Sequence, residues 1–97
     1  MLDLWKTLTL LQHHYPLPDK VTVTVDTFDE EQEGEWGFDE DTGHLIRISK
    51  DIDEKHRDEI LVHEYAHAVC HYYHGPNEDA VWGIAYAELY KLVFGDH

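Results

Sequence analysis

Apolar residues recur at helical spacing at the beginning of the chain, where Leu2, Trp5 and Leu8 are three positions apart. This spacing predicts an amphipathic helix over residues 2–14. Pro16 follows closely. Because proline cannot donate the helical hydrogen bond and also restricts the residue before it, we expect the helix to end there.

The next segments alternate between apolar and polar residues, as strands do. Residues 21–25 read Val-Thr-Val-Thr-Val, which predicts a strand whose three valines face the core. After an acidic loop at 29–35, two further alternating runs flank the turn-forming sequence Asp-Glu-Asp-Thr-Gly. Residues 35–50 are therefore predicted to form a β-hairpin. Its second strand carries Ile48, and either Leu45 or Ile46, as apolar positions.

Two helices are predicted in the second half of the chain. The first covers residues 54–74, begins after a capping Asp51 or Asp53 and ends at a Gly-Pro pair at 75–76. The second covers residues 78–94 and is capped by Asn77. The order of elements predicts one α+β domain over residues 1–97, with a small antiparallel sheet of about three strands.

The charge of the chain restricts its partners. With 21 acidic and 7 basic residues, the net charge is −14. This negative field repels nucleic acids and anionic membranes, and we expect neither as a partner. Cys70 is the single cysteine, so an internal disulfide is excluded. No apolar run approaches the ~20 residues of a membrane helix and no signal peptide is recognisable, which favours a cytoplasmic location.

The sequence His63-Glu64-Tyr65-Ala66-His67 carries the candidate chemistry. On a helix, histidines four residues apart lie on one face and can share a tetrahedral zinc ion. Glu64 lies about 100° around the helix from His63, where it can reach a water on that ion. Zinc lowers the pKa of such a water, and Glu64 would act as general base. This is the chemistry of a zinc-dependent metallopeptidase with one zinc per chain.

The third zinc ligand is open to several candidates. His71 and His74 continue the histidine stripe, but at 1.5 Å per residue the helix carries His74 about 10 Å beyond His67. After the Gly-Pro break the chain can return, which favours Glu78. Glu88, Asp79 and His74 follow in that order. Acidic residues in the first turn of a helix also favour its dipole, and this is an equally simple reason for an acidic residue there.

These motifs resemble those of the SprT-like zinc metallopeptidases, especially their short, often phage-encoded members. The resemblance covers most of residues 36–94. It rests on Trp36-Gly37, on the strand at 43–48, on the helix sequence Ile-Leu-Val-His-Glu-Tyr-Ala-His-Ala at 60–68, and on the segment at 82–90.

The resemblance implies zinc ligation by His63 and His67 and general-base catalysis by Glu64. The family usually has a histidine where this chain has Glu78. A glutamate ligand is similar to that of gluzincins, whose usual spacing also fits Glu88. The implied fold is a minimal zincin-like domain with the active helix beneath an antiparallel sheet. Residues 44–49 would then bind an extended peptide or protein substrate by backbone pairing.

Two other functions fit the same residues. The strong negative charge and small size also suit an acidic binding protein or inhibitor, of DNA-mimic type, that keeps zinc for structure. A zymogen-like or degenerate peptidase, with its zinc position filled by its own residues, is the third possibility. The Glu64→Gln variant separates the first two functions, because only the peptidase needs the general base.

Overall fold

Three helices and three strands make up the fold of this computed structural model. The structure describes residues 4–28, 32–74 and 79–95, with their side chains except at 54–55, 73–74 and 79–85. The α+β class and the predicted order of elements are confirmed. The elements are α1 (Leu4–His14), β1 (Val21–Asp26), β2 (Gly34–Asp39), β3 (Gly43–Ser49), α2 (Glu54–His74) and α3 (Asp79–Phe94).

The sheet is mixed, with strand order β1-β3-β2. β2 and β3 form the predicted antiparallel hairpin. Its turn ends at Gly43, whose φ of 86° is a left-handed conformation that favours glycine. β1 pairs with β3 in parallel, which the sequence did not predict. The sheet is therefore antiparallel only within the hairpin. β3 is the central strand, and β1 and β2 occupy opposite edges.

The central position of β3 corrects the expected substrate strand. Its backbone pairs with β1 on one side and with β2 on the other. Residues 44–49 are thus already paired within the sheet and cannot bind an extended peptide by backbone pairing, so that expectation is wrong. Among the described residues β2 pairs with β3 alone, which makes β2 the outer strand of the hairpin.

Alternation along the strands places one face of the sheet on α2. Ile46 and Ile48 are fully buried, whereas Leu45 is 41% exposed, which decides the alternative left open by the sequence. On β1 only Val23 is buried, and Val25 is 37% exposed. Val25 pairs with the buried Ile48 and so lies on the same face as Val23, but it stays partly exposed because β1 is an outer strand and α2 packs beneath β2 and β3.

Helix α2 is the centre of the domain, in contact with α1, α3, β2 and β3. Two polar contacts, one buried and one partly buried, hold α1 and the segment after it against α2. The Thr7 hydroxyl donates to the Asp58 carboxylate at 2.8 Å, and the Tyr65 hydroxyl donates to the Tyr15 carbonyl at 2.7 Å. Although α2 has 21 residues, no helix in the described part of the chain is long and apolar enough to cross a membrane.

Candidate metal centre

His63, Glu64 and His67 lie together on one turn of α2. Each offers one ligand atom, and these atoms all lie within 4.8 Å of one another. The two imidazole centroids are 5.4 Å apart, and His63 Nε2 is 3.9 Å from Glu64 Oε2. The helix brings the two histidines together because residues four apart share a face.

These donors are the kind that zinc prefers in proteins. Imidazole nitrogen and carboxylate oxygen bind zinc at about 2.0–2.2 Å, usually in tetrahedral geometry. Among the described residues the three are the one group of histidine, cysteine or acidic side chains close enough to hold an ion. The side chains therefore fit a zinc ion, with His63 and His67 as its nitrogen ligands.

Glu64 is buried beneath the first residue of β2. Its side chain is only 9% exposed, and a Cβ atom on Gly34 would lie 3.4 Å from Glu64 Oε2 and collide with the Ile60 side chain. Glycine at this position thus lets the strand pass close above the carboxylate. Burial, aided by repulsion from Glu35, raises the pKa of Glu64 to about 7. A carboxyl group with this pKa exchanges protons near neutral pH, as general-base chemistry requires.

His67 packs against the sheet through Trp36. The indole and imidazole planes are 15° from parallel, with centroids 5.9 Å apart. Trp36 Nε1 in turn donates to His44 Nδ1 on β3 at 3.2 Å. Phe38 and His71 complete this layer of rings between the hairpin and α2, with centroids 4.6 Å apart.

His44 is buried as deeply as the apolar core, with 1% exposure. Since an indole only donates, His44 Nδ1 must accept the hydrogen bond, and in the neutral ring the proton lies on Nε2. Burial lowers the pKa of His44, which favours this neutral form. Nε2 is buried too, and it finds no hydrogen-bond partner among the described residues. Such an unsatisfied group costs about 1–3 kcal/mol.

His63 lies on the open side of the centre. Its side chain is 41% exposed, and its ring meets Tyr86 of α3 edge to face at 5.5 Å between centroids. Burial of its ring and repulsion from His67 lower the pKa of His63, against an opposing effect of Glu33. The neutral imidazole is the form that binds a metal ion, so both effects favour ligation.

Of the other candidate ligands, the structure describes the side chains of Glu88 and His71 alone. The Glu88 carboxylate accepts the Tyr15 hydroxyl at 3.0 Å and does not join the group around His63. His71 packs against Phe38 and also does not belong to the group around His63. Glu78 lies outside the described residues, and the side chains of Asp79 and His74 are also not described. Glu78 therefore stays a prediction.

The sequence predicts no contact between the motif and the residues that surround it in the structure. Trp36 and His44 belong to the predicted hairpin and to the segments of the family resemblance, and Tyr86 belongs to the predicted helix over residues 78–94 and to the segment at 82–90. Alternation with Ile46 and Ile48 does place His44 on the inward face, so its burial was predictable from that signal. The contact between Trp36 and His67 has no signal in one sequence, because it depends on how the hairpin lies on α2.

Comparison with known proteins finds no relative for this chain. No family model, no curated protein and no solved structure matches it. The resemblance to SprT-like peptidases therefore depends on the quoted motifs alone and remains a prediction.

Proposed function

We propose that this chain is a zinc-dependent metallopeptidase. The observation that carries the proposal is the grouping of His63, His67 and the buried Glu64 within 4.8 Å on one turn of α2. The two histidines hold the ion, and a third ligand comes from elsewhere in the chain, with Glu78 favoured. The SprT-like resemblance supports the same assignment.

Glu64 performs the proton transfers in this proposal. Bound zinc supplies Lewis-acid activation of a water molecule and of the peptide carbonyl. Glu64 accepts the proton of the attacking water and delivers it to the leaving amine, so that the carboxylate is regenerated. The pKa of about 7 in the metal-free chain falls when a cation binds nearby, which restores the basic carboxylate at neutral pH.

The proposed substrate is a peptide in extended conformation that pairs with the outer edge of β2. This strand begins at Gly34, directly beside the Glu64 carboxylate. Main-chain hydrogen bonds along a strand edge bind peptides of many sequences, and pockets beside the strand select side chains. The net charge of −14 disfavours nucleic acid and anionic membranes as partners.

Hydrolysis of a quenched-fluorescent peptide library by the zinc-loaded chain tests the proposal. Glu64→Gln keeps the shape of the side chain but removes the base, so we expect hydrolysis to fall by about 10²- to 10⁴-fold. Zinc content should stay near one per chain. Undiminished hydrolysis by this variant would contradict the mechanism.

Glu88→Gln is the matched control for this experiment. The same chemical change is made on α3, where the carboxylate contacts Tyr15. We expect both hydrolysis and zinc content to be retained. Loss of zinc in Glu88→Gln would instead identify Glu88 as the third ligand.

The acidic binding protein is the second candidate function, and the net charge of −14 favours it. It predicts no hydrolysis of any peptide by the zinc-loaded chain. It also predicts a tight partner whose binding weakens with added salt and survives the Glu64→Gln substitution.

A further inference from the structure

The ring layer beside His67 extends into the sheet. Trp36 pairs with Ile46 and Phe38 pairs with His44 across the hairpin, so Trp36 and His44 are diagonal neighbours on the face that meets α2. From this face the indole reaches the His67 ring, and its N–H reaches His44. A continuous path of contacts thus leads from β3 to a candidate metal ligand.

We propose that Trp36 and His44 are positioning residues for His67. The His44 imidazole fixes the Trp36 indole by a hydrogen bond, and the stacked indole fixes the plane of the His67 ring. The affinity for the metal ion then depends on a hydrogen bond that does not touch the ion. This inference rests on the metal centre of the proposed function, although it does not need the chain to be a peptidase.

The chemistry of His44 favours positioning over packing. A fully buried side chain that only filled space would be better apolar, because the His44 Nε2–H finds no partner among the described residues. His44 nevertheless supplies the acceptor for the Trp36 N–H at 3.2 Å. The buried Nε2–H therefore lowers the stability of the chain, whereas Nδ1 holds the indole through its hydrogen bond.

The near-parallel stack is suited to orienting a ligand. An imidazole rotates about its bond to Cβ, and metal coordination requires one orientation of the ring plane. An indole only 15° from parallel to His67 opposes that rotation before the metal binds. Orientation in advance raises affinity because less side-chain freedom is lost on binding.

Zinc affinity of a matched pair of variants tests the proposal. His44→Asn keeps an acceptor near the position of Nδ1, whereas His44→Leu has a similar shape without one. Zinc affinity is measured by competition with a chromophoric chelator, and metal-free stability by denaturation in EDTA. We expect about tenfold weaker zinc binding in the Leu variant and near-unchanged binding in the Asn variant. Metal-free stability of the Leu variant should be unchanged or higher.

Two further variants test the hydrogen-bond donor and control for a general loosening of the ring layer. Trp36→Phe keeps a ring against His67 but cannot donate, so its zinc affinity should fall like that of His44→Leu. Phe38→Leu loosens the same ring layer, including its own contact with the His44 ring at 4.8 Å between centroids, but removes neither atom of the hydrogen bond, and it should bind zinc like the unsubstituted chain. Circular dichroism establishes that each variant is folded before its affinity is compared.

Several results would overturn the proposal. These are unchanged zinc affinity in His44→Leu and Trp36→Phe, equal weakening in His44→Asn and His44→Leu, or equal weakening in Phe38→Leu. If the unsubstituted chain binds no zinc, the proposed function and this inference both fail. If it binds zinc with the expected pattern but hydrolyses no peptide, only the peptidase proposal fails.

Discussion

The two histidines of one motif lie in different surroundings. His67 faces the hairpin, where Trp36 stacks on it and His44 holds Trp36. His63 faces α3, where only part of its ring is covered and Tyr86 meets it edge to face. Both histidines lie on the same face of α2, so the difference in their surroundings comes from the elements packed around this helix. It teaches that the His67 ring is held by its neighbours, whereas His63 borders the open side of the candidate centre.

Removal of either histidine should have the largest effect, which is on zinc affinity, and the loss should be equal for His63 and His67. If both are ligands, His63→Ala and His67→Ala each weaken zinc binding by on the order of 100-fold or more. The comparison predicts equality here because the ion needs both nitrogen atoms. Zinc titration with a competing chelator measures the two affinities. A large loss in one variant alone would show that the other histidine is not a ligand.

Glu64 lies between the two sides, and its burial predicts a pH effect on the metal-free chain. The pKa rises from 4.5 to about 7 on folding, so the folded chain holds a proton that the unfolded chain has released. Stability from this group is complete below about pH 4.5 and is lost as the pH rises through about 7. At about pH 8 the accumulated loss is about 3 kcal/mol.

Glu64→Gln removes this pH dependence, because the amide does not titrate. In EDTA, its stability relative to the unsubstituted chain should increase by up to about 3 kcal/mol between about pH 4.5 and about pH 8. Urea denaturation at the two pH values measures the difference. Parallel pH profiles for the two proteins would mean that Glu64 is not desolvated by β2. Added zinc should reduce the difference, since the cation favours the carboxylate.

The smallest expected effect is on the stability of the metal-free chain, and it compares the surroundings of His67 and His63 most directly. Without metal, His67→Ala loses the stack with Trp36, which is expected to cost about 1 kcal/mol. His63→Ala removes a ring that is 41% exposed, so its cost should stay below about 0.5 kcal/mol. Denaturation in EDTA measures both values. Equal losses would show that the hairpin side is no better packed than the α3 side.

Local patterns in the sequence predicted the elements of the fold well. The apolar spacing in α1, the turn residues before Gly43 and the Gly-Pro pair after α2 all signal structure through neighbouring residues. The order of the strands has no such local signal, because alternation in β1 is compatible with a position at either edge of the sheet and with either strand direction. The parallel pairing of β1 with β3 therefore could not be read from periodicity.

The candidate site divides in the same way. His63, Glu64 and His67 were predicted because helical spacing alone brings them together. Trp36, His44 and Tyr86 come from other elements, and their contacts depend on how those elements pack on α2. The approach of β2 to Glu64 also depends on tertiary packing, although Gly34 marks the point where it happens. One sequence does not contain that information in local form.

The contacts that join the segment around α1 to α2 have a consequence for folding during synthesis. Thr7 and Asp58 are 51 positions apart, and Tyr15 and Tyr65 are 50 apart. An isolated helix of 11 residues is only marginally stable in water, so α1 is not expected to be stable before the residues that it contacts have been synthesised. On the ribosome, the early helix must wait until α2 has emerged. Because α2 contacts α1, α3, β2 and β3, these packing contacts can form only after the motif helix has been synthesised.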